Sequence, residues 1–122
     1  MEKQAFGSSH APLSPGLKVG RTIYVSGQVP RTPDGEIVDG DVAAQTDQVL
    51  DNIEAVLEEA GATLADVVKT TVILPHVKRD FAAMNEAYAR RFPDPKPSRT
   101  TLGADLAIDI LVEIEAVAIV ED

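Results

Sequence analysis

The sequence predicts an α+β sandwich, one β-sheet covered on one face by two helices. Three observations carry this reading. A run from Asp41 to Gly61 repeats apolar residues at helical spacing, two β-branched runs flank it, and a final run from Ile108 to Val120 is apolar on both sides. Ordered along the chain, the elements read β-β-α-β-α-β-β, within one domain spanning residues 1–122. A single layer of helices covers only one sheet face. A last strand that is apolar on both sides therefore calls for more protein on the other face, and a second subunit is the physical remedy.

The first stretch, Gly7 to Gly16, is rich in Ser, Pro and Gly and reads as irregular backbone. Lys18-Val19-Gly20-Arg21 reads as a tight turn into Thr22-Ile23-Tyr24-Val25-Ser26, which has the β-branched and aromatic content of a buried strand. Pro30 to Gly40 carries turn signals at Thr32-Pro33-Asp34-Gly35 and Asp39-Gly40, with a short strand expected at Glu36-Ile37-Val38. Asp41 then offers an N-cap. Val42, Thr46, Val49, Leu50, Ile53, Val56 and Leu57 form one apolar face, and Gly61 supplies the stop. Gln45, Asp47, Gln48, Asp51, Glu54, Glu58 and Glu59 are placed on the opposite, solvated face.

Val67 to Leu74 has the composition and length of a strand, ended by Pro75. A second helix is expected from Asp80 as N-cap, with Phe81, Met84, Tyr88 and Phe92 on one side, until Phe92-Pro93-Asp94-Pro95-Lys96-Pro97 breaks it. Ser98 to Leu102 is a short β-branched strand. In the last run Ile110, Val112, Ile114, Ala116 and Ala118 alternate with Leu111, Glu113, Glu115, Val117 and Ile119.

Composition narrows the function. The 122 residues hold 11 Lys and Arg against 20 Asp and Glu, a formal charge of −9, which repels a polyphosphate backbone and makes nucleic acid an unfavoured partner. Aromatics at 4% are too few for a base-stacking platform. With no cysteine, disulfides, thiolate zinc sites and a cysteine nucleophile are excluded. His10 and His76 are too far apart for a paired-histidine metal motif. No apolar stretch approaches the roughly 20 residues of a membrane helix. Met1-Glu2-Lys3-Gln4-Ala5 lacks an apolar signal core, and a cytoplasmic location is expected.

Arg99, in Pro97-Ser98-Arg99-Thr100-Thr101, follows a stiff proline-rich breaker and offers a planar fork to a carboxylate; a surface ion pair is the plainer reading. Glu113 and Glu115 share one face of an otherwise apolar strand. They either pair with a base such as Arg99, Arg21 or Lys69, or one of them, partly desolvated, holds and polarises a water. Ser26-Gly27-Gln28 ends a strand with a glycine that permits close backbone approach to a ligand. Asn85 lies beside the apolar stripe of the second helix, where an amide can line a pocket.

Taken together, Val25-Ser26-Gly27-Gln28-Val29-Pro30, Ala44-Gln45-Thr46 with Val49-Leu50-Asp51-Asn52-Ile53, Glu59-Ala60-Gly61-Ala62, Val67-Val68-Lys69-Thr70-Thr71-Val72, Asp80-Phe81-Ala82 with Asn85 and Tyr88, Pro97-Ser98-Arg99-Thr100 and Val112-Glu113-Ile114-Glu115-Ala116 resemble the RidA/YjgF family of reactive-intermediate imine deaminases. The resemblance runs from about Ala11 to Val120. It implies a chorismate-mutase-like fold in a homotrimer, with three sheets around a central barrel, helices outside and active sites between subunits.

It further implies hydrolysis of 2-imino acids, the tautomers of enamines, to 2-keto acids and ammonia without a cofactor. By the same resemblance Arg99 clamps the substrate carboxylate and Glu113 orients the attacking water. Ser26, Gly27, Gln28 and Asn85 lie at the substrate, and Thr101 stands where many members carry cysteine. Leu13, in Ala11-Pro12-Leu13-Ser14-Pro15-Gly16, replaces a tyrosine of the pocket wall, removing a hydrogen bond of roughly 0.5–1.5 kcal/mol. That departure keeps open a metabolite-binding regulatory trimer that does not turn over. The ribonuclease or translation-inhibitor role of some relatives is disfavoured by the charge of −9.

Overall fold

A computed structural model describes residues 1–121. Its strands are β1 (Lys3–Phe6), β2 (Gly16–Val19), β3 (Thr22–Gln28), β4 (Val67–Ile73), β5 (Ser98–Leu102) and β6 (Glu113–Ile119); its helices are α1 (Val42–Glu59) and α2 (Val77–Arg91). The strands form one sheet in the order β1-β2-β3-β6-β4-β5, antiparallel except for the parallel pair β4 and β5 that α2 connects. This is the expected α+β arrangement, with both helices on one face.

The core is the seam between sheet and helices. Ile23 and Val25 of β3, Val72 of β4, and Ile114, Ala116 and Ala118 of β6 meet Val49, Leu50, Ile53 and Leu57 of α1 and Met84 and Tyr88 of α2. At its N-terminus α1 is capped by the Asp41 carboxylate, which accepts from the Ala44 N–H at 2.9 Å. At its C-terminus Gly61 takes φ +87°, Ala62 N–H donates to Leu57 O at 2.8 Å and Gly61 N–H to Glu58 O at 3.1 Å, a Schellman closure. Arg91 fastens the two helices together, donating to Asp47 O at 2.9 Å and to the Asp51 carboxylate at 2.7 Å.

Several expectations are corrected. Gln45 is buried rather than solvated, because both ends of its amide find partners: Nε2 donates to Val38 O and Oε1 accepts from Leu111 N–H. Helix α2 starts at Val77, and Asp80 is not its N-cap; it lies in the first turn, held by Arg79 through two hydrogen bonds. Phe81 is largely exposed and does not join the buried stripe. Lys18 and Val19 belong to β2, so the turn narrows to Gly20-Arg21, with Gly20 at φ +61°. Residues 36–38 form no strand, only an isolated bridge between Ile37 and Arg31. The final strand begins at Glu113 rather than Ile108, because Leu111 N–H is taken by Gln45. β1 is a further strand, at one edge of the sheet.

The face away from the helices carries Leu17 and Val19 of β2, Tyr24 of β3, Val117 and Ile119 of β6 and Leu102 of β5, with Tyr24 50% and Ile119 45% exposed. Leu50→Ala should destabilise the fold by about 2–5 kcal/mol through a cavity at the helix–sheet seam, and Gly61→Ala by about 1–2 kcal/mol through left-handed strain with no new contact. Urea unfolding checks both; a Gly61→Ala variant as stable as the parent would contradict the C-terminal closure.

Candidate functional site

Strand alternation decides where each candidate side chain goes. On β5, Arg99 is in register with Thr70 of β4, whose hydroxyl is buried against α2, so Arg99 also turns to the helix side. There its guanidinium carbon lies 4.9 Å from the centre of the Tyr88 ring and 5.8 Å from that of Phe81. No ion pair forms at Arg99 among the described residues. The simpler reading of a surface salt bridge is therefore not what the structure contains.

Arg99 borders an open cleft of about 460 Å³ lined by Asn85, Tyr88, Ala89, Lys96 and Pro97. Arg99 and Lys96 bring two cations to it; Lys96 Nζ lies 3.6 Å from the Asp94 carboxylate, which leaves Arg99 as the cleft cation without an acidic partner among the described residues. Lys96 Nζ reaches back to the carbonyls of Ala89 and Phe92, which tethers the proline-rich segment to the end of α2. Asn85 Oδ1 is buried and has no hydrogen-bond partner, leaving an acceptor unused at the cleft wall. Thr101, two residues beyond Arg99, shares its sheet face in register with Val72.

Glu113 opens β6 and points the other way. Ile114, Ala116 and Ala118 are buried under the helices, so Glu113 and Glu115 face the uncovered side, as the alternation predicts. Gly27 packs directly over the Glu113 carboxylate; a Cβ at that position would overlap it. Burial of the carboxyl, reinforced by the Glu115 charge, raises its pKa above the ordinary 4.5. Of the other candidates, Ser26 Oγ donates to Ser14 O at 2.7 Å and its N–H to Pro15 O at 2.8 Å, binding the loop of Leu13 to the end of β3. Gln28 Nε2 donates to Ser26 O, and Leu13 is 52% exposed.

The structure thus groups the candidates into two sets. Arg99, Thr101 and Asn85 lie on the helix side near the β5 edge, whereas Glu113 and Gly27 lie on the uncovered face. Arg99 aligns through Thr70 with Ala116, three residues from Glu113. Their backbones are therefore roughly 10 Å apart across the strands and roughly 10 Å along them. One chain does not bring the two side chains together. Sequence reasoning did not assign Tyr88, Phe81 and Lys96 to the site. The signal for the first two was their helical spacing with Asn85, at 81, 85 and 88.

Fold and cleft define a one-sheet α+β protein with an arginine-bearing cleft. Residues 3–120 match the endoribonuclease L-PSP family, also called YjgF/RidA, and the chain belongs to it. A RutC family protein of Pyrococcus abyssi is 50% identical over 88% of this chain and 85% of its own. The mitochondrial protein MMF1 of Saccharomyces cerevisiae is 36% identical over 89% of this chain and 75% of its own. Among solved structures, RidA from an Antarctic Psychrobacter superposes with a TM-score of 0.90 at 35% identity over 96% and 99% of the two chains. Escherichia coli TdcF with bound serine gives 0.88 at 29% identity over 97% and 99%.

The raised Glu113 pKa has a stability consequence. Folding favours the protonated acid, so the parent loses stability as pH climbs from about 4.5 through the raised value. Glu113→Gln carries no such loss. Its melting temperature relative to the parent should rise across that window and level off above it; a difference constant from pH 3.5 to 8 would contradict the assignment.

Proposed function

We propose that this protein hydrolyses reactive 2-imino acids, and their enamine tautomers, to 2-keto acids and ammonia. The observation that carries the reading is the Arg99 guanidinium, which at the wall of an open cleft has aromatic neighbours and, among the described residues, no acidic partner. A substrate carboxylate would take both of its forward N–H groups. The serine bound in the TdcF structure supports a ligand of this size carrying an α-carboxylate.

Because Arg99 and Glu113 face opposite sides of one sheet, the site is completed by a second copy. Three chains pack their uncovered apolar faces into a barrel, and Arg99 of one meets Glu113 of the next. In that assembled site Glu113 is the general base. It takes a proton from a water as the oxygen bonds to the C=N carbon, while the imine nitrogen is protonated. The protonated Glu113 then gives its proton to the carbinolamine nitrogen, the hydroxyl proton passes to solvent, the C–N bond breaks, ammonia leaves and the carbonyl forms. An imine is already electrophilic, so orientation and one base suffice, with no cofactor. Asn85 and the strand-end residues Ser26, Gly27 and Gln28 contribute polar contacts around the carbon, and the Thr101 carbonyl a second hold on the water. Leu13 lends an apolar wall that favours aliphatic side chains. The same proposal places the protein in the cytoplasm, in contrast to its mitochondrial relative MMF1.

Ammonia release from an imine generated in situ by a pyridoxal-phosphate dehydratase tests the reading. Arg99→Ala should lower kcat/KM roughly 10- to 100-fold, the loss of about 1.5–3 kcal/mol from charged hydrogen bonds. Equal rates for parent and variant would end it. Gly27→Ala should fold as the parent does yet lose rate, because its Cβ displaces the Glu113 carboxylate. Full activity in Gly27→Ala would argue against Glu113 as the base.

A further inference from the structure

Arg99 reaches the cleft from β5, the edge strand of the sheet, and a flexible arginine at an edge has many rotamers. Something must hold it if it is to present a fixed fork. The acidic partner that ordinarily does so is absent among the described residues, and the surroundings consist of rings. Tyr88 lies closer than Phe81, at 4.9 Å against 5.8 Å. Phe81 is itself 42% exposed, whereas Tyr88 is buried, its ring tilted by 39° against that of Phe92 with centres 4.6 Å apart. The Tyr88 hydroxyl is bound to the Thr70 hydroxyl at 2.6 Å, a buried contact between two groups that find each other in an apolar setting. Thr70 is the residue of β4 in direct register with Arg99. A closed loop results: backbone pairing sets Thr70 beside Arg99, Thr70 fixes the Tyr88 hydroxyl, and the Tyr88 ring returns to carry the Arg99 guanidinium.

We infer that Tyr88, anchored by Thr70, is a positioning residue that holds the Arg99 guanidinium in its carboxylate-binding orientation by a cation–π contact. An aromatic platform suits this task better than a carboxylate. It restrains the planar group through its face and leaves all the in-plane N–H donors free for a ligand, where an Asp or Glu would occupy two of them and cancel the charge. Burial keeps the phenol protonated well into the alkaline range, so the ring stays a neutral platform. The inference rests on the proposed carboxylate-binding role of Arg99 for its consequence, though not for the contact itself.

Two measurements on the full chain test it. In the first, calorimetry with 2-oxobutanoate is run on the parent, Tyr88→Leu, Arg99→Ala and the double variant. Tyr88→Leu should weaken binding roughly three- to ten-fold in the parent background and leave it unchanged in the Arg99→Ala background, while Tyr88→Phe, which keeps the ring, should recover most of the affinity. Equal losses from Tyr88→Leu in both backgrounds would reduce Tyr88 to a packing residue and overturn the inference. In the second, the Arg99 side-chain Nε–Hε resonance is followed by NMR in ligand-free protein. The Hε should be shifted upfield by the ring in the parent and in Tyr88→Phe; an unshifted Hε in the parent would also overturn the inference. If Tyr88→Leu does not fold, the parent resonance and Tyr88→Phe still decide. Should the parent bind no 2-oxo acid while the Hε remains ring-shifted, the carboxylate reading fails and the ring contact stands.

Discussion

Alternation along β6 is the constraint on which the rest of the molecule depends. Ile114, Ala116 and Ala118 go under the helices because α1 and α2 offer them apolar cover. The period of two then sends Glu113 and Glu115 to the opposite face whatever their chemistry. Arg99 is fixed by the same rule on β5, through its register with the buried Thr70. The Glu113 carboxyl and the Arg99 guanidinium are thus set on opposite faces by the fold that creates them, and the proposed site joins them through a second chain. The uncovered face, with Leu17, Val19, Tyr24, Val117 and Ile119, is apolar enough to receive one.

Electrostatics within each half of the site follow from placement rather than from strong charge pairing. Arg99 stays free to bind because rings, not carboxylates, surround it. Glu113 is raised toward neutrality by burial and by Glu115, and Gly27 gives it room without giving it a partner. Some of the chain's acidity is elsewhere and structural: Asp47 and Asp51 on α1 are tied to Arg91 of α2, and Asp41 caps α1.

Much of this was legible in the sequence. The apolar positions of α1, its Asp41 cap and its Gly61 stop are local signals, and the strands at 67–73 and 98–102 follow from β-branched composition, the first ended by Pro75 and the second preceded by Pro97. What was missed depended on long-range partners. Gln45 looks like a solvent-face residue until Val38 and Leu111, 7 and 66 positions away, supply its hydrogen bonds. β1 is polar and short, and only its pairing with β2 makes it a strand. Asp80 has the residue type of an N-cap, yet the chain is already helical from Val77 and Arg79 engages its carboxylate. Phe81, Asn85 and Tyr88 share a helical stripe, but that Phe81 and Tyr88 meet Arg99 depends on β5 lying at the sheet edge beside β4. The relative facing of Arg99 and Glu113 is a property of strand register, which no single segment encodes.

The central claim is that the fork of one chain works with the acid of another, and a mixing experiment addresses it most directly. Arg99→Ala and Glu113→Gln chains, each inactive alone, are unfolded together, refolded as mixed assemblies and assayed for ammonia release from a 2-imino acid. Sites that combine an intact Arg99 from one chain with an intact Glu113 from the other restore activity, to about a quarter of the parent's per site at equal mixing. A mixture as inactive as its components would mean that both groups act from one chain, and the shared site between subunits would be refuted.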